Sequence, residues 1–139
     1  MTESREPQHL FVYGTLRQGD VRWRFLEPFI EDGGEPDRAA GALFDTGAGY
    51  PAAVFEAPHV ESSVIIGHRY RLVPDQTAAA LATLDEIESA VTGLYQRVTV
   101  TTQAGILAWA YQYGLDLDDP ELRLSRIASG DWFEHRSRA

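Results

Sequence analysis

The pattern of apolar and polar positions changes its period along this chain, and the changes mark out its elements. HLFVYG (9–14) is β-branched and aromatic and stops at a glycine, which predicts a short strand. WRFLEPFI (23–30) fits a short helix interrupted by Pro28. The acidic, turn-rich EDGGEPD (31–37) reads as a solvated surface linker. AAGALFDTG (39–47) and GYPAAVFEA (49–57) are extended pieces around a Gly-rich turn, with Pro51 biasing Tyr50 away from helix. VESSVIIGHRYRLV (60–73) ends in clean alternation, with His68, Tyr70 and Leu72 on one side and Arg69, Arg71 and Val73 on the other.

The pattern then turns helical. PDQTAAALATLDEIE (74–88) starts at Pro74 or Asp75 and fills its interior with Ala and Leu. LYQRVTVTT (94–102) and ILAWAYQYG (106–114) read as a β-hairpin over the Gly105 turn, with Trp109, Tyr111 and Tyr113 sharing one face. Acidic DLDDPE (116–121) precedes a short LRLSRIASGDWF close, and EHRSRA (134–139) reads as a frayed tail. Strands and helices do not alternate, so the predicted class is α+β: a mixed, mostly antiparallel, barrel-like sheet with a packed helix, not a doubly wound nucleotide fold. The length of 139 residues suits one domain, placed at 9–133, with a disordered or loosely ordered stretch at 1–8 and a C-terminal tail at 134–139. No internal repeat breaks the chain.

Composition narrows the chemistry. At 44% hydrophobic the chain can build a core. A net charge of −9 argues against nucleic acid as the main partner, because phosphate binding needs excess Lys and Arg. No apolar run approaches the roughly 20 residues of a membrane span, and MTESREPQ lacks the features of a signal peptide, so no membrane partner and a cytoplasmic location are expected. The chain has no Cys, and all 12 basic residues are Arg. A thiolate nucleophile, a CxxC zinc site, a Schiff-base lysine and a P-loop lysine are therefore absent. The four His, at 9, 59, 68 and 135, lack metal-ligand spacing and read as scattered imidazoles, so no metal is called.

Two places carry candidate chemistry. The first strand ends in YGTLRQG (13–19), which reads either as a Gly-rich anion loop or as a plain hairpin turn. The helix ends in LDEIE (84–88). With Leu81 at zero and about 100° per residue, Leu84 falls near −60°, Ala80 near −100° and Ile87 near −120°. Glu88 falls near −20°, inside that apolar arc; Asp85 lies at its edge near +40°, and Glu86 points away near +140°. A carboxylate on a buried face at a helix C-terminus resists ionisation through both desolvation and the dipole, which suits a group that accepts and returns a proton near pH 7. The alternative is that the helix stops before Glu88 and leaves it in water.

Together YGTL (13–16), GYPA (49–52), LDEIES (84–89), YQR (95–97), AWAYQY (108–113) and GDW (130–132) resemble the gamma-glutamylcyclotransferase-like, or AIG2-like, superfamily. Its pattern is a YG-S/T-L loop, a later YPA, then LDxxEG followed after a spacer by Y-x-R and a strand. The similarity spans roughly residues 9 to 133. It implies a small mixed fold with a barrel-like sheet and a pocket between the YGTL loop and the helix end. It also implies an enzyme that releases 5-oxoproline and a free amine or amino acid from a small gamma-glutamyl substrate. No cofactor is implied, and the state is monomer or homodimer. The second acid of LDxxE matches Glu88, which becomes the catalytic candidate. Tyr13, Gly14, Thr15 and Leu16 become the loop that binds the glutamyl group's carboxylate or carbonyl oxygens, and Tyr95 and Tyr111 fall at family pocket-tyrosine positions. Both tyrosines otherwise read as ordinary sheet aromatics, and Arg97 as an internal ion-pair partner. Ser89 departs from the family's glycine after the catalytic Glu, which favours an alternative: a non-catalytic binder of gamma-glutamyl or carboxylate ligands. A third reading keeps the Glu chemistry and removes a gamma-glutamyl group from a secondary-metabolite amine. Leaving-group specificity falls to the loops around 17–37 and 115–125.

Overall fold

A computed structural model of the chain describes residues 7–14, 23–31, 33–46, 51–55, 63–87, 95–113 and 125–137. Seven strands are present among them: β1 (His9–Val12), β2 (Glu35–Asp45), β3 (Pro51–Val54), β4 (Ser63–Arg71), β5 (Tyr95–Thr101), β6 (Leu107–Tyr113) and β7 (Ser125–Arg126). Three helices join them: α1 (Trp23–Leu26), α2 (Thr77–Ile87) and α3 (Trp132–Ser137). The strands run in the order β3-β2-β4-β1-β6-β5, with β7 on β2. All pairs are antiparallel except β1 with β6. The class is α+β, as the sequence predicts.

The curl comes from β2, which changes partner along its length. Residues 35–41 pair with β4 and residues 42–45 with β3. The sheet thereby folds round until β3 lies against β6, where the Phe55 N–H donates to Gln112 Oε1 at 3.1 Å. Alternation then gives the sheet two cores. Leu10, Val12, Tyr70 and Leu72 pack with Ala80 and Leu84 of α2 on one face. Phe11, Tyr13, Ala39 and Ile65 pack with Trp132 of α3 on the other. In α2, Ala80, Leu81 and Leu84 are buried and Glu86 is exposed, in agreement with the projected arc.

Several local expectations need correction or refinement. Pro28 does end the first helix, but it does so by opening a 3₁₀ turn over Glu27–Phe29, a position where its missing N–H costs nothing. The closing EHRSRA is helical through Ser137, not frayed. Asp131 caps that helix, its Oδ1 accepting from the N–H groups of Phe133 and Glu134 at 3.0 and 3.3 Å. His135 Nε2 lies 2.9 Å from Asp45 Oδ2, which ties α3 to the end of β2.

The acidic stretch departs further from expectation, because residues 35–37 are strand and open β2. Asp37 is buried at 8% exposure and pairs with Arg69 of β4. It also accepts the Arg38 N–H at 2.8 Å, while the Gln103 N–H donates to Arg38 O at 2.8 Å. EDGGEPD carries four acids around two glycines, and its composition does not show the Arg that neutralises one of them. Burial pushes the Asp37 carboxyl up, but hydrogen bonds from Thr102, the Arg38 N–H and Arg69, with the Arg69 charge, outweigh it and hold the carboxyl below the usual range. A lowered folded-state pKa contributes stability that is present above the unfolded pKa of about 3.9 and lost as pH falls through the folded value. Asp37→Asn should therefore lower stability by about 1–3 kcal/mol at pH 7. In urea titrations the gap to wild type should close only below about pH 4.

Candidate active site

Three tyrosines converge where the curled sheet closes, and each gives its hydroxyl proton to another part of the protein. Tyr13, at the end of β1, donates to the backbone carbonyl of Tyr111 on β6. Tyr95, opening β5, donates to the carbonyl of Pro51, the first residue of β3, at 2.5 Å. Tyr111 donates to Asp85 Oδ1 in the last turn of α2 at 2.7 Å. A carbonyl can only accept, so the direction of the first two bonds is fixed. Gly14 completes the ring, because a Cβ there would stand 2.9 Å from Pro51 Cγ and 3.2 Å from Pro51 Cδ. Only a residue without a side chain lets the chain leaving β1 pass the proline so closely.

The result is one continuous path: Asp85, Tyr111, Tyr13, Gly14, Pro51, Tyr95. It joins the YG that follows β1, the Pro51 that opens β3, the LD of the helix end and the Y-x-R strand. These stretches are up to 98 residues apart in the chain, as in the Tyr13–Tyr111 bond. The hairpin register supports the path. Tyr95 lies opposite Tyr113, their rings edge to face at 6.0 Å, and Arg97 lies opposite Tyr111. Arg97 sits over the Trp109 ring at 4.7 Å and reaches Asp85 Oδ2 at 3.5 Å, in the structural role the sequence gave it. That pair is long and partly exposed, worth about 0–1 kcal/mol. A hydrogen bond to a carboxylate is worth about 1.5–3 kcal/mol, so Tyr111 is the stronger hold on Asp85.

Of the residues singled out from sequence, Tyr13, Gly14, Tyr95 and Tyr111 are thus brought together. Thr15, Leu16 and Glu88 lie outside the described residues, and so do Tyr50, Arg17 and Ser89. Two members of the cluster were not selected as site residues. Asp85 lies at the edge of the apolar arc, while the family pattern points to Glu88. Pro51 reads in the sequence only as biasing Tyr50 away from helix, although its carbonyl is the acceptor for Tyr95. A hydrogen bond to a backbone carbonyl leaves no trace in residue type, so that contact was not readable.

A curled, mostly antiparallel sheet whose dispersed motifs meet at its seam defines a class, and the comparisons agree. The family model described as gamma-glutamyl cyclotransferase, AIG2-like matches residues 10–134. The chain belongs to that family. It is 35% identical over 126 residues to a Vibrio cholerae protein named, provisionally, a gamma-glutamylcyclotransferase, covering 90% of this chain and 96% of that one. It is 32% identical over 136 residues to the gamma-L-glutamyl-butirosin B gamma-glutamyl cyclotransferase of Niallia circulans, covering 92% of this chain and 77% of that one. Among solved structures, an uncharacterized protein from Pyrococcus horikoshii superposes with a TM-score of 0.65 at 26% identity, covering 94% of this chain and 93% of its own. No described helix is long and apolar enough to cross a membrane.

Removing one hydroxyl tests the seam. Tyr95→Phe leaves the Pro51 carbonyl without that donor in a buried setting and should cost about 1–3 kcal/mol in chemical denaturation. The far-UV spectrum of the folded protein should be unchanged.

Proposed function

We propose that this protein is a gamma-glutamylcyclotransferase, which converts a gamma-glutamyl compound to 5-oxoproline and a free amine or amino acid. What supports the reading above all is the convergence of the family's separated motifs on one seam, with Gly14, Tyr95 and the last turn of α2 all joined through Pro51, Tyr13 and Tyr111.

The chemistry needs positioning more than reagents. The substrate carries its own nucleophile, the α-amine, within five-ring reach of the γ-carbonyl carbon. Glu88 takes a proton from the α-ammonium. The freed amine attacks the γ-carbon, and the new C–N bond closes the lactam. As the bond to the leaving nitrogen breaks, Glu88 returns the proton to that nitrogen; the second proton, left on the ring nitrogen by the attack, passes through the same carboxylate to the amine, which departs as an ammonium, so protons and charge balance. Holding the glutamyl chain folded draws on the proximity effect, up to about 7–11 kcal/mol in ideal intramolecular cases. The general acid–base step adds about 10²–10⁴-fold. Backbone N–H groups of the loop that starts at Gly14 and continues through Thr15 and Leu16 receive the carboxylate or the developing oxyanion.

The bonds already made by the tyrosines refine their part in this scheme. Tyr95 and Tyr111 have given their phenolic protons to Pro51 and Asp85. A substrate therefore meets them as aromatic walls and not as hydrogen-bond donors. The leaving amine is set by groups outside this cluster. The Niallia relative's named substrate makes gamma-glutamyl amines a class to include beside gamma-glutamyl amino acids.

Ser89, where the family has glycine, favours a second reading in which the pocket binds such ligands without turning them over. One assay separates the two. Wild type and Glu88→Gln are incubated with a panel of gamma-glutamyl amino acids and amines, and 5-oxoproline is followed by mass spectrometry. The enzyme reading expects product from wild type and a loss of at least about 100-fold in the variant. Ligand-induced melting shifts with no product from either protein would establish the binding reading instead.

A further inference from the structure

Building on that reading, we infer that Asp85 is the positioning residue of the site: through Tyr111 it fixes the last turn of α2, and so sets where the Glu88 that follows can reach. Three observations carry this. An Asp in the last turn of a helix opposes the helix dipole, so its presence there calls for a compensating partner. Asp85 has two, Tyr111 on Oδ1 at 2.7 Å and Arg97 on Oδ2 at 3.5 Å, and together they define the carboxylate's orientation.

The anchor is itself held. Tyr111 is buried, and its carbonyl accepts from Tyr13. It lies on β6, which is paired on both sides, by β1 and β5. Among the described residues of the turn, Glu86 is exposed and Ile87 half-buried, so Asp85 supplies the polar bond to the sheet. Asp85 touches no reacting atom in this account. It acts through the backbone of its own turn.

The test compares Tyr111→Phe, Asp85→Ala and Asp85→Asn with wild type, using L-γ-glutamyl-L-alanine and a γ-glutamyl amine as probes at a temperature below every variant's melting point. Tyr111→Phe and Asp85→Ala should each lose about 10–100-fold in kcat with KM within about threefold, as expected when a catalytic group is displaced by a fraction of an ångström to an ångström. The Tyr111→Phe/Asp85→Ala double variant should lose no more than the worse single one. Asp85→Asn, which still offers Tyr111 an amide oxygen, should retain several-fold more turnover than Asp85→Ala. Amide hydrogen exchange over residues 84–88 should rise about tenfold in Tyr111→Phe while β1 and β6 keep their protection.

A rise in KM with unchanged kcat would mean that Tyr111 binds substrate and positions nothing, and would overturn the proposal. So would unchanged exchange at the helix end. A wild type that yields no 5-oxoproline would overturn the enzyme reading, and with it the catalytic half of this inference. The exchange measurement would still decide whether Asp85 tethers α2.

Discussion

The structure depends on where three buried phenolic protons go. A curled sheet that is not zipped shut by backbone pairing leaves carbonyls facing its seam, and a buried carbonyl without a donor is costly. Here Tyr13 and Tyr95 supply donors to Tyr111 and Pro51, and Tyr111 supplies one to Asp85. Tyrosine suits this task because its ring adds to the core while its hydroxyl, some 6.5 Å from the backbone, bridges gaps that main-chain bonds cannot span. The seam is therefore both a packing surface and a polar lattice. Replacing any of the three rings by another apolar residue would keep the volume and lose the closure.

That arrangement has a consequence for the proposed function. A cyclisation that uses the substrate's own amine asks the protein for a folded glutamyl chain and one well-placed carboxylate, and both requirements are geometric. In the proposed function, the bonds at the seam serve that geometry by joining the end of β1, the start of β3 and the last turn of α2. They also commit the three tyrosine protons to the Tyr111 carbonyl, the Pro51 carbonyl and Asp85, which is why the proposed function assigns anion recognition to backbone N–H groups.

Much of this was legible in the sequence because it follows from periodicity. The hairpin over Gly105, the amphipathic helix and the strand preceding Gly14 all obey simple repeats, and the structure keeps each of them. The arc of Ala80, Leu81 and Leu84 was also correct, and it ranked Asp85 and Glu88 by angle alone. What the pattern could not carry was partnership across the chain. Asp37 looked like part of a solvated acidic turn because its partner Arg69 lies 32 residues away. Asp85 looked secondary to Glu88 because its acceptor role needs Tyr111 from a strand 26 residues further on. Likewise Asp131 read as part of a chain end, although one carboxylate accepting two N–H groups was enough to start a final helix. Residue type told us which groups can bond, and the fold decided which ones do.

The central claim is that three motifs remote in sequence form one small-molecule site, and it is tested most directly by locating the ligand. Titrating ¹⁵N-labelled protein with 5-oxoproline and following backbone amide shifts would do so without depending on turnover. The account predicts that the largest changes fall on Gly14 and the loop it opens, on Ala52 beside Pro51, and on the amides from Asp85 to the end of α2, saturating together with one dissociation constant. Shifts concentrated around α3 and β7, or separate saturation at the loop and at the helix end, would contradict it.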